Sequence, residues 1–159
     1  MIKYASYAVT FAEVPDEVCL TIQITNCPHR CEGCHSPYLQ QDIGKDLESD
    51  LLSLLKRYEG RVTCVCLMGD GQDNLAMNRI LLMIKLFSSL KTAIYSGYTD
   101  DQCKWMHYYN LDYLKTGPFI KELGGLDTKS TNQRMYRNKR PGIKADWEDI
   151  TYKFWREKI

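Results

Sequence analysis

The run Val18-Cys19-Leu20-Thr21-Ile22-Gln23-Ile24-Thr25, followed one residue later by Cys27-Pro28-His29-Arg30-Cys31-Glu32-Gly33-Cys34, decides how the chain is read. Its first half alternates and is rich in β-branched residues, which predicts a strand that ends just before the cysteines. Its second half is a C-x3-C-x2-C loop with His35 directly behind it. Three thiolates within eight positions, with no fourth cysteine at a short regular spacing, suit an iron–sulfur cluster held by Cys27, Cys31 and Cys34. A four-iron cubane (4Fe–4S) has four corners, so three cysteines leave one iron open to an outside ligand. Electron-transfer clusters are closed by four cysteines, and structural zinc takes four protein ligands. A zinc loop is the structural alternative, and its fourth ligand is missing here. Pro28 and Gly33 read as loop-shaping, Gly33 because it lets backbone approach a bound group closely. His29 and Arg30 read as solvent-exposed loop residues.

Outward from this loop the pattern is strand, loop, helix, repeated. Leu47, Leu51, Leu54, Leu55 and Tyr58 recur at helical spacing between Asp46 and Tyr58. Arg61 to Met68 is an apolar run, as expected of a strand buried on both faces, and it stops at Gly69-Asp70-Gly71. Asn74 to Leu90 carries Leu75, Ile80, Leu81, Ile84 and Leu86 on a helical pattern. Lys91 to Ser96 predicts a strand closed by Gly97, Thr99 to Tyr109 a third helix, and Asp112 to Lys115 a further strand before Thr116-Gly117-Pro118. This order argues for an α/β domain with mostly parallel strands joined by crossovers. There are too few strands for a closed eight-stranded barrel, so the expected fold is an open partial (β/α) barrel. In parallel sheets ligands collect at the carboxyl ends of the strands, where the cysteine loop, Gly69 to Asp73, Ser96-Gly97-Tyr98 and Gly117-Pro118 fall.

At 159 residues the chain suits a single domain, with a core over about residues 10–136 and a C-terminal extension over 137–159. With 44% hydrophobic and 26% charged residues the composition is that of an ordinary globular protein. Basic side chains number 21 against 20 acidic ones, which argues against nucleic acid or a membrane surface as the main partner. No signal-peptide pattern and no apolar run of ~20 residues is present, so a cytoplasmic location is expected. The seven cysteines are an odd count and do not form a disulfide framework. Cys19, Cys64, Cys66 and Cys103 lie in or beside apolar stretches and read as buried small hydrophobes. Tyr136, Trp147, Trp155 and the basic run Arg134 to Arg140 form an aromatic, cationic tail that either packs on the domain or meets a partner.

A C-x3-C-x2-C loop after the first strand of such a chain resembles the radical S-adenosylmethionine enzymes. Gly33, Tyr95-Ser96-Gly97-Tyr98, Lys115-Thr116-Gly117-Pro118-Phe119 and Thr131-Asn132-Gln133-Arg134 narrow the resemblance to the activating proteins of anaerobic ribonucleoside-triphosphate reductases, over roughly Thr10 to Tyr136. The resemblance implies an oxidoreductase with two cofactors, a 4Fe–4S cluster on Cys27, Cys31 and Cys34 and S-adenosylmethionine on its open iron. It implies reductive cleavage of that molecule and abstraction of hydrogen from one glycine of the large reductase, leaving a glycyl radical. The partners implied are the reductase as protein substrate and an external one-electron donor.

By family position, Gly33, Cys34 and His35 line the S-adenosylmethionine pocket, His35 either packing on the adenine or covering the cluster. Gly69, Asp70 and Gly71 stand where the family has two glycines and an acid whose backbone binds the methionyl amine, but their order is changed. The bland alternative is a helix-entry turn. Ser96 and Gly97 either touch methionine or ribose or make a plain strand-to-helix turn. Gly117 to Phe119 and Thr131 to Arg134 close the pocket or dock the reductase. Two alternatives stand beside this reading. An activase of another glycyl-radical enzyme often carries an extra ferredoxin-like insert, which this chain lacks. A non-enzymatic iron–sulfur or zinc electron carrier would not react with S-adenosylmethionine.

Overall fold

The computed structural model describes residues 1–103 and 109–155. Eight strands form one sheet: β1 (Lys3–Thr10), β2 (Cys19–Ile24), β3 (Lys45–Asp46), β4 (Cys64–Met68), β5 (Lys91–Tyr95), β6 (Tyr113–Thr116), β7 (Arg134–Asn138) and β8 (Trp147–Asp149). Their order across the sheet is β3-β1-β2-β4-β5-β6-β7-β8. The two α-helices among the described residues are α1 (Leu47–Arg57) and α2 (Asn74–Phe87).

The expected open partial (β/α) barrel with mostly parallel strands does not form. The sheet is mixed, and four of its seven pairings are antiparallel: β1 with β2, β1 with β3, β6 with β7, and β7 with β8. Only the central pairings β2–β4, β4–β5 and β5–β6 are parallel. The apolar runs that suggested a parallel domain are these central strands. The antiparallel ones lie outside them, and β1, β7 and β8 are half-exposed and rich in charged and aromatic residues. The basic run from Arg134 forms β7, its cations paired with carboxylates of β8 and the turn, as in Arg137–Glu148 and Lys139–Asp146. Most of the helix expected over Thr99–Tyr109 lies outside the described residues. Its first residues make a turn in which Gln102 N–H donates to the Thr99 carbonyl.

Each helix is started by an aspartate whose carboxylate accepts a first-turn N–H. Asp46 takes that of Glu48 at 3.3 Å and Asp73 that of Ala76 at 3.0 Å. α1 buries Leu47, Leu51, Leu54 and Leu55. α2 buries Ala76, Met77, Ile80, Leu81 and Ile84, whereas Leu75 and Leu86, expected in its apolar stripe, are 75% and 67% exposed. Both helices cover one face of the sheet, over the register row Ile22, Leu67, Ile94 and Leu114. The opposite face holds Cys19, Cys64, Cys66 and Ala93 and is covered by Val14, Leu126, Ile150 and Phe154. Cys64 and Cys66 thus share a face, as their spacing predicts, and Cys103 is also buried. All seven cysteines are free thiols. No helix among the described residues is long and apolar enough to cross a membrane.

Asn138 ties the end of β7 to the rest of the sheet. Its Nδ2 donates to the Leu111 carbonyl, and its Oδ1 accepts from the N–H groups of Arg140 and Asp146, each at 3.0 Å. Because Asn138 is buried, Asn138→Ala should lower unfolding free energy in urea by about 1–3 kcal/mol. A loss under about 0.5 kcal/mol, the range of an ordinary surface change, would contradict this account of the sheet edge.

Candidate functional site

The four parallel strands end in register. Gln23 of β2's carboxyl end pairs with Met68, Met68 with Tyr95, and Tyr95 with Lys115. Residues sharing a row across parallel strands point to the same face. One row before, the side chains are apolar and meet the helices. This row instead forms the floor of a cavity of about 420 Å³ on the other face. Its walls come from the loops that leave the strand ends: Cys27, Cys31, Cys34 and His35, then Gly69 and Asp70, then Ser96 and Gly97, then Phe119, Leu126 and Gln133. Of the cluster and cofactor residues expected from the sequence, Gly33 and Gly71 do not line it; of the two segments expected to close it, only Phe119 and Gln133 do. Gly33, at φ +75°, lies 3.5 Å (from its would-be Cβ) from the Phe119 ring, and Gly71 backs onto Ile2 and Ile24.

A second cavity, lined by Lys91, Asp112, Arg137 and Lys139, lies at the amino end of β5. Its charges are paired among themselves and their neighbours, as in Lys91–Glu17 and Lys85–Asp112. The chemistry gathers in the first cavity.

The cysteine loop is fixed at both ends by backbone hydrogen bonds. Asn26, at φ +57°, donates to the Gln41 carbonyl and Cys27 to that of Leu39; Cys34 N–H closes a turn on the Cys31 carbonyl. The three thiols are half-buried and face one cavity. Burial pushes the Cys27 thiol up, aided by Asp70, Cys31 and Cys34 and opposed by the hydrogen bond it accepts from the His29 backbone. Among the described residues no three His, Cys, Asp or Glu side chains are arranged to hold one metal ion. A single ion requires donors that converge on a point, whereas a cubane takes each thiolate on a different iron. Three half-buried free thiols around one cavity fit the second demand. His35 lies 5.4 Å from Phe119, ring to ring, at the cavity wall.

His29, expected in solvent, is half-buried instead. Its Nε2 is 2.6 Å from Oδ2 of Asp70, and its ring meets that of Tyr98 edge-on at 4.5 Å. Asp70 is 1% exposed, and the same Oδ2 accepts the Gly97 N–H at 2.9 Å. Arg30 is exposed as expected and donates to Gln40. Ser96 is buried, and its hydroxyl accepts the N–H of Tyr98. The Gly117–Phe119 and Thr131–Arg134 segments interlock: Asn132 Nδ2 donates to the Pro118 carbonyl, and Gln133 Nε2 to that of Gly117.

The sequence reading passed over Lys115 as a site residue. It is 7% exposed, its Nζ donates to the carbonyls of Ser96 at 3.1 Å and Gly117 at 2.7 Å, and it forms no salt bridge among the described residues. Burial brings its pKa down to about 8, against the opposing pull of Asp70, Cys31 and Cys27. The signal was available: Lys115 stands two residues after Tyr113 in a fully buried strand, so its ammonium must enter the interior. Compared with family models, curated proteins and solved structures, the chain matches none of them. The resemblance therefore rests on the motifs alone.

The depressed Lys115 sets a pH dependence of stability. Between about pH 8 and pH 10.5 the unfolded chain keeps a proton that the folded chain has released. Stability contributed by this group therefore rises with pH across that window and is level below it. Buried thiols and tyrosines whose pKa is raised pull the other way in this window, so the increment is read as a difference. From the lower to the upper end, urea unfolding should show stability changing more favourably in the native chain than in Lys115→Met. The same change with pH in both proteins would contradict the burial of a titrating ammonium.

Proposed function

We propose that this chain is a radical S-adenosylmethionine enzyme that installs a glycyl radical on an anaerobic ribonucleoside-triphosphate reductase. The observation that carries the reading is that three cysteines at C-x3-C-x2-C spacing face one cavity at the aligned ends of parallel strands. Cys27, Cys31 and Cys34 would hold a 4Fe–4S cluster, and its fourth iron would be left for S-adenosylmethionine. When bound, the cluster would supply the electron for reductive cleavage of the sulfonium, the chemistry by which a glycine of the reductase would lose its hydrogen.

The chain's own residues bind, orient and exclude water. Lys115 offers the methionyl carboxylate a buried cation that lacks a salt bridge among the described residues, and a charge-assisted bond in such a setting is strong. Gly69 and Asp70 keep the place that the resemblance gives to amine binding; Gly71 supports the turn from behind. His35 and Phe119, which both line the cavity, would supply aromatic rings for an adenine, and Leu39, Met68 and Leu126 supply apolar wall. A primary carbon radical attacks any C–H bond it meets, so the open side of the cavity must be sealed while it exists. The reductase itself would provide that seal, which is the physical reason for a macromolecular substrate.

The test is anaerobic reconstitution with iron and sulfide, then dithionite and S-adenosylmethionine. We expect 5′-deoxyadenosine, and on addition of the reductase an electron paramagnetic resonance doublet from a glycyl radical. Cleavage without the doublet would favour an activase of another enzyme, and no cleavage would favour a carrier or zinc module. Cys31→Ala should abolish iron retention while Cys103→Ala leaves it near normal; loss in both would show that the ligands are misassigned.

A further inference from the structure

His29 is the centre of three contacts that bind the cysteine loop to the strand ends. Its imidazole Nε2 meets a carboxylate that already accepts the Gly97 N–H, so the imidazole is the donor to Asp70 Oδ2, at 2.6 Å. Its ring rests edge-on against Tyr98. It also fills the space beside Gly97: a Cβ built there would lie 2.4 Å from the His29 ring, a separation that real Cβ atoms do not adopt. Gly97 has no positive φ to justify a glycine, so the seat for the ring is its function. Asp70 and Gly97 follow β4 and β5, while His29 lies between Cys27 and Cys31. One side chain thus joins the loop that carries the thiols to two neighbouring strands.

We propose that His29 and Asp70 are positioning residues that clasp the cysteine loop onto the ends of β4 and β5, with Gly97 as the seat. Asp70 Oδ2 then works inside the protein, and the altered Gly69-Asp70-Gly71 order gains a purpose: the acid anchors the loop. The benefit of anchoring rests on the reading of the three cysteines as ligands, but the clasp itself is a property of the metal-free chain. It can therefore fail while that reading stands, and stand while that reading fails.

The experiment is hydrogen exchange on the full metal-free chain, followed at the Cys27 and Cys34 amides, with the β4 amides as a control for intact folding. Loss of a hydrogen bond to a charged group should speed loop exchange about tenfold or more in His29→Ala and in Gly97→Ala. Both substitutions break one contact, so the double variant should exchange no faster than either single one. His29→Gln, which keeps an N–H at similar reach, should restore much of the protection. Unchanged loop exchange with β4 still protected, additive effects, or no recovery in His29→Gln would overturn the proposal. Should a variant unfold, imidazole ¹⁵N spectra of the native chain decide: a slowly exchanging Nε2 proton supports the clasp, and a freely exchanging ring overturns it.

Discussion

The structure depends on the common level at which four parallel strands stop. Gln23, Met68, Tyr95 and Lys115 form one register row, and the next residues of each chain segment leave the sheet together. A slip of one residue in any pairing would turn that strand's side chains to the other face. Such a slip would send an apolar residue of the preceding row, such as Leu67 or Ile94, into the cavity and Lys115 or Tyr95 against the helices. Burial of the helix face against α1 and α2 therefore fixes the chemistry on the opposite face.

The second constraint is polar. Asp70, Ser96, Lys115 and Gln133 are all buried, and all cluster at the strand ends. Buried polar groups are costly unless hydrogen-bonded, and each of these has partners. Most of those partners are backbone groups of neighbouring loops: the Gly97 N–H, the Tyr98 N–H and the Ser96 and Gly117 carbonyls. The polar side chains thus stitch the loops to one another as well as facing the cavity. Lys115 is the extreme case, since its ammonium holds the ends of β5 and β6 together and feels the pull of Asp70, Cys31 and Cys27.

How much of this was legible in the sequence follows from what each segment buries. β2, β4, β5, β6 and α1 were readable because a dense apolar pattern leaves few alternatives. The cysteine loop was readable because its spacing carries chemistry by itself. The outer antiparallel strands were not: β1 mixes lysine, tyrosine and serine on a half-exposed ribbon, and β7 alternates arginine with methionine, tyrosine and asparagine, so neither shows a clear apolar period of two. That omission turned a mixed sheet into an expected partial barrel. Leu75 and Leu86 matched a helical period but lie on the outer face of α2, because a period fixes spacing and not which stripe is buried. His29 was misplaced for a different reason. Its partner Asp70 is 41 residues away in sequence, and only the folded register brings the two together.

The central claim is that three thiolates leave one iron open for a ligand that sits on this row of strand ends. Electron–nuclear double resonance tests it most directly, on anaerobically reconstituted, reduced protein with S-adenosylmethionine labelled at the methionyl nitrogen and carboxylate. The account predicts hyperfine coupling between those labels and the cluster spin. A reduced cluster whose spectrum shows no coupling to the labelled molecule would contradict it.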